Sequence, residues 1–110
     1  MRCFLVLALV GLGGAAAACG PTESKDGAEI FTTICANCHG PDGKPPADKI
    51  ATLNVRDLTS PGFRSRCSVE LVEKQVRLGS QNKLMPPFGG ALRPDQITAV
   101  AEYVNARFHR

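Results

Sequence analysis

Apolar residues recur at intervals of three and four in three separate stretches of this chain. Ile30, Phe31 and Ile34 form the first set, Val69, Val72 and Val76 the second, and Ile97, Val100, Ala101, Val104 and Phe108 the third. Such spacing puts each set on one face of a helix. The flanking residues supply stops and starts. Asp26 followed by Glu29 matches an N-cap with an acid three positions on, and Gly40-Pro41 closes the first helix just past Cys38. Ser68 caps the second helix and Gly79 ends it. Pro94 suits the first position of the third helix, where Asp95 complements the positive end of the helix dipole. Between these helices, Gly40 to Pro61 and Ser80 to Leu92 read as long, proline-rich loops, the former with a short helix around Asp48 to Leu53. No stretch alternates as a strand would, and no repeat is visible. The expectation is an all-α domain.

The first eighteen residues follow a different pattern. Arg2 precedes an apolar run from Phe4 to Leu12, and Gly13 to Ala18 is small throughout. This is the layout of a secretory signal peptide. The apolar stretch falls short of the ~20 residues that cross a bilayer. The chain therefore divides into a signal at residues 1–18, a polar tether at 19–25 and a domain at 26–110. The exported part is small enough to have a thin apolar core, and a prosthetic group would help it fold.

Charge excludes one class of partner. Thirteen Lys plus Arg stand against ten Asp plus Glu, a net charge of +3. No basic stripe of the kind that binds nucleic acid is present. Cysteine usage adds a puzzle. With Cys3 in the signal, Cys19, Cys35, Cys38 and Cys67 remain. Exported cysteines usually pair, yet a Cys35–Cys38 bridge would close only a very short loop. Cys67 reads as a small buried side chain, as free cysteines often are.

The stretch ICANCHGPDG, from Ile34 to Gly43, carries the candidate chemistry. If the helix continues through it, Cys35, Cys38 and His39 fall within an arc of ~100° on one face. Two thiols and an imidazole pointing one way suit a flat group bonded at two edge positions with a metal at its centre. Cys-x-x-Cys-His reads as covalent haem attachment. Two other uses of such a cluster have requirements of their own. A thioredoxin-like redox pair needs a preceding strand, which is absent from the pattern. A zinc site needs four ligands, and Cys67 could complete a set with Cys35, Cys38 and His39, although adjacent Cys38 and His39 sit awkwardly on one small tetrahedron.

Several features together resemble the small class I cytochromes c, from Gly27 to Phe108. Gly27-x3-Phe31-x3-Cys35 is similar to the family's first helix, whose small and aromatic residues pack on the last helix, and Tyr103 is similar to the aromatic expected there. CHGPDG resembles the family's exit from the haem motif. KLMPPFGGALRPDQITAVAEYV resembles its distal-ligand loop and final helix. The resemblance implies three to four helices around one covalently bound haem c. It also implies thioether bonds from Cys35 and Cys38, with His39 as the proximal iron ligand.

Met85 is the candidate for the opposite face of the iron. It is the only methionine besides Met1, lies in a loop before Pro86-Pro87, and matches the family's distal position. The other histidine, His109, reads as a solvated terminal residue. His and Met ligation fills both axial positions and raises the potential relative to bis-histidine ligation. That implies a carrier of single electrons between redox proteins, including membrane-bound oxidoreductases, rather than an enzyme. A haem-based gas sensor or small haem enzyme is the alternative if Met85 leaves the iron. Arg56, Lys49 and Lys83 are candidate partners for the haem carboxylates. Pro45-Pro46 and Pro86-Pro87 are candidate walls, and Gly89-Gly90 a candidate close approach. Finally, Cys19 directly follows Ala16-Ala17-Ala18. The stretch resembles a bacterial lipoprotein box, departing from it at Ala16, and implies a lipid anchor on the periplasmic side of a bacterial membrane; ordinary cleavage near the same place would instead leave a soluble periplasmic protein.

Overall fold

The computed structural model describes residues 22–109. The expected signal peptide, Cys19 and the first part of the tether lie outside the described residues. Six α-helical segments follow one another: α1 (Gly27–Ile30), α2 (Ala36–His39), α3 (Ala47–Leu53), α4 (Pro61–Arg64), α5 (Val69–Leu78) and α6 (Pro94–Phe108). A π-helical turn, Phe31–Cys35, joins α1 to α2 without a break. No strand occurs among the described residues.

The expected N-caps form, although Glu29 accepts from the Ser24 hydroxyl at 2.7 Å and does not reach back to Asp26 N–H, which donates to Ser24 Oγ at 3.0 Å. The Asp26 carboxylate accepts from the N–H groups of Ala28 (2.8 Å) and Glu29 (3.2 Å). The Ser68 hydroxyl accepts from Leu71 N–H at 3.1 Å. Pro94 opens α6, and Arg93 N–H donates to the Gln96 side chain at 3.0 Å. Two elements were not anticipated. The π turn has Ala36 N–H bonded to the Phe31 carbonyl, five residues back. The short helix α4 begins where the Ser60 hydroxyl accepts from Phe63 N–H.

The first and last helices cross at Gly27. A Cβ there would stand 2.1 Å from the Ala99 carbonyl oxygen and 2.9 Å from Tyr103 Cβ. Only hydrogen fits, and the two backbones meet. Next to this contact the Phe31 ring lies between Tyr103 and Phe108, with centroids at 5.4 and 5.8 Å, within the range of favourable aromatic pairs. The predicted stripe of α6 is buried throughout, with Val100 and Ala101 essentially inaccessible, and Val72 and Val76 of α5 join the same core. Cys67 is buried there as well.

Gln96 is the one buried polar residue of the described core. Its amide nitrogen donates to the carbonyls of Thr22 (3.1 Å) and Ser24 (2.7 Å), satisfying its buried donors. Residues 22–25 thus lie along the start of α6, where exposed ion pairs join Lys25 to Asp95 and Glu23 to Arg93.

Candidate cofactor site

A cavity of about 420 Å³ opens between α5, α6, the α1–α2 run and the two long loops. Phe31, Ile34, Val72, Val76, Val100 and Val104 give it apolar walls. Cys35, Cys38, His39 and Met85 all line it. The helical run presents the first three, because the π turn passes directly into α2 without losing the helical path.

His39 is held in one tautomer. Its Nδ1 lies 3.0 Å from the Arg56 carbonyl oxygen. A carbonyl only accepts, so Nδ1 carries the proton and Nε2 keeps its lone pair. Burial lowers the imidazole pKa, outweighing the opposing effect of that hydrogen bond, and keeps the ring neutral. Such a backbone partner is the usual support for a metal-binding histidine. Burial, with Cys38 adding to it, pushes the Cys35 thiol up to about 11. Cys35 is therefore a protonated thiol at neutral pH, unlike an activated redox cysteine.

Met85 sits half-buried in a folded loop. Its N–H donates to the Ser80 hydroxyl oxygen (3.0 Å) and its carbonyl accepts from Ser80 N–H (2.9 Å). Gly79, at φ +71, lies beneath the loop, and a Cβ there would stand 2.5 Å from the Met85 carbonyl oxygen.

The zinc reading fails on this geometry: among the described residues no three His, Cys, Asp or Glu side chains gather as a metal site. A large flat group fits instead. The volume lies within the ~300–1,000 Å³ usual for ligand pockets, and the donor set is two thiols, one neutral imidazole and one thioether on apolar walls. Of the candidate carboxylate partners, Arg56 lines the cavity but Lys49 and Lys83 do not. Lys83 is taken up locally, its ammonium donating to the Leu78 carbonyl at 3.1 Å. Arg66, not singled out from the sequence, lines the cavity too, with its Nε donating to the Gly62 carbonyl (2.9 Å). Pro86 walls the cavity, whereas Pro45, Pro46 and Pro87 do not line it. Pro46 instead precedes α3 as its N-cap. Gly89 does make a close approach, to Arg77, while Gly90 faces open space. His109 is exposed and outside the cavity, its Nδ1 at 3.1 Å from the Arg64 carbonyl.

Residues 22–104 match the family model described as cytochrome C oxidase, cbb3-type, subunit III. The chain is 43% identical over 82 residues to a cytochrome c6 of Microcystis aeruginosa, covering 74% of this chain and 94% of that protein. The chain belongs to the class I cytochromes c. It is also 34% identical over 94 residues to the cbb3-type cytochrome c oxidase subunit FixP of Azorhizobium caulinodans, spanning 86% of this chain and 30% of that one. A solved structure titled KustC0563 c-type cytochrome superposes with a TM-score of 0.65 at 27% identity, covering 74% of this chain and 95% of that one. This cytochrome accordingly takes one covalently bound haem c and serves as a mono-haem electron carrier.

Proposed function

We propose that Cys35 and Cys38 would hold the haem through thioether bonds, and that His39 Nε2 and Met85 Sδ would ligate its iron. The observation carrying this reading is that all four groups line one apolar cavity, with the His39 tautomer set by Arg56. The haem supplies a one-electron couple. The chain's own residues do the rest. With both His39 and Met85 as ligands the iron would have no open coordination position, so the site would pass electrons without binding substrate at the metal. The Met85 thioether favours the reduced state and raises the potential. Phe31, Val72, Val100 and their neighbours exclude water from the buried face, while Arg56 and Arg66 provide positive charge for the haem carboxylates.

The site of action is the bacterial cell envelope, with export directed by residues 1–18 and retention at the membrane by lipid on Cys19. The donors and acceptors are redox proteins of that compartment. The likeness to a subunit of a cbb3-type cytochrome c oxidase supports an oxidoreductase complex as one of them. No described helix is long and apolar enough to cross a membrane.

The test is Met85→Ala in the haem-loaded protein. The expected result is loss of the weak near-infrared sulfur-to-iron band, a lower reduction potential and rapid carbon monoxide binding to the reduced form. An unaltered band and potential would remove Met85 from the iron. Ready carbon monoxide binding by the wild type would turn the reading towards a gas sensor or haem enzyme.

A further inference from the structure

Both main-chain polar groups of Met85 are taken by a single residue. Ser80 N–H donates to the Met85 carbonyl, and the Ser80 hydroxyl accepts from Met85 N–H. The hydroxyl's own proton goes to Asn82 Oδ1 at 2.7 Å, and that oxygen also accepts from Leu84 N–H at 3.1 Å. The Ser80 carbonyl accepts from Lys83 N–H at 3.0 Å. To close this ring Lys83 adopts φ 60, a left-handed conformation that an L side chain occupies at a cost. Ser80 itself is fixed from behind, since it follows Gly79 directly at the end of α5, and the residues after Met85 are pinned to α5 by Phe88 N–H donating to the Val76 carbonyl at 2.9 Å. Both main-chain hydrogen bonds of Met85 therefore end on Ser80 rather than on Pro86-Pro87, which lack N–H groups to donate.

We infer that Ser80 is a positioning residue for electron transfer: its hydroxyl holds Met85 on the iron and sets how often the distal position opens. The inference rests on Met85 as axial ligand. A carrier works best when its coordination is the same before and after the electron moves. A distal ligand on a long loop needs such a brace, because thioether sulfur is a weak ligand and the loop would otherwise gain entropy on release. The Ser80 hydroxyl is well suited to the role. It is neutral and adds no charge beside the metal, and through Asn82 it ties Leu84 and Met85 into one unit.

The test is imidazole titration of the ferric, haem-loaded protein, because imidazole enters only when the distal ligand leaves. Ser80→Ala removes the hydroxyl and its two hydrogen bonds, so the open population and the apparent imidazole affinity rise about tenfold, which is ~1.4 kcal/mol. Ser80→Thr, which keeps a hydroxyl, stays near the wild type. Asn82→Ala, a milder change, moves affinity in the same direction by less. In a Met85→Ala background, Ser80→Ala has no effect. Wild-type imidazole affinity in Ser80→Ala overturns the inference, and so does lowered unfolding stability with unchanged imidazole binding, which marks a merely structural role. The two levels separate cleanly. If Met85→Ala and the wild type bind imidazole alike, the ligand assignment itself falls and the inference with it. If they differ while Ser80→Ala matches the wild type, only the inference falls.

Discussion

Replacing Gly27 with alanine pits two effects of opposite sign against each other. Alanine is the better helix former, and by propensity alone the change would stabilise the protein by up to ~1 kcal/mol. The new methyl, however, would stand 2.1 Å from the Ala99 carbonyl oxygen, 2.7 Å from its carbon and 2.9 Å from Tyr103 Cβ. An ordinary carbon contact needs ~3.5 Å or more, so α1 and α6 have to part by more than an ångström. Two of those three atoms are backbone and cannot swing aside. Parting also loosens the seat of Phe31 between Tyr103 and Phe108. Overpacking of this kind costs ~1–3 kcal/mol, and the absence of relief from a rotamer change puts Gly27→Ala at the upper end. After the propensity gain, a net loss of ~2 kcal/mol remains, corresponding to a fall in Tm of roughly 8–16 °C for a domain of this size. The assay is denaturant and thermal unfolding of the ferric haem-loaded protein, followed by far-ultraviolet circular dichroism. Equal or greater stability in Gly27→Ala would refute the close crossing.

Other outcomes follow from the same packing and chemistry. Phe31→Ala should lose ~3–5 kcal/mol of unfolding free energy, since the ring is fully enclosed at the helix crossing; unaltered thermal stability would count against that placement. Arg66→Gln should lower the reduction potential, because removing a positive charge from the cavity wall favours the oxidised, more positive site; redox titration beside Arg64→Gln, which lies outside the cavity, reads the difference, and equal potentials in both variants would exclude Arg66. Expressed with its native signal, the wild type should fractionate with membranes and carry added lipid mass, whereas Cys19→Ser should not; wild-type protein in the soluble periplasm without lipid removes the anchor.

Most of the architecture was legible in the sequence because its signals are local. The α6 stripe from Ile97 to Phe108, the Asp26 and Ser68 caps, and Gly79 as a stop each depend on a few neighbouring residues, and each holds. The π turn was hidden because nothing in FTTIC distinguishes it from ordinary helix. Helix α4 was missed although Ser60-Pro61 is an N-cap followed by a first-position proline, since four residues give no period. Arg66 was hidden with it, since it follows α4 and lines the cavity with its Nε tied to the Gly62 carbonyl of that helix. Lys49 and Lys83 were credible partners by charge alone, and where their side chains go is decided by tertiary structure. Ser80 left no mark in the sequence either: a serine in a loop is commonplace, and its link to Met85 depends on a left-handed Lys83 that only the folded loop displays.

The most direct measurement is intact and tryptic mass spectrometry of the protein expressed with haem-attachment machinery. The account predicts one added haem per chain, resistant to acid–acetone extraction and confined to the tryptic peptide Asp26–Lys49, which contains both Cys35 and Cys38 and is uncut at Lys44 because Pro45 follows. A Cys35→Ser, Cys38→Ser variant should lose that covalent mass. Haem that washes out of the wild type, or a colourless chain carrying zinc, would contradict it.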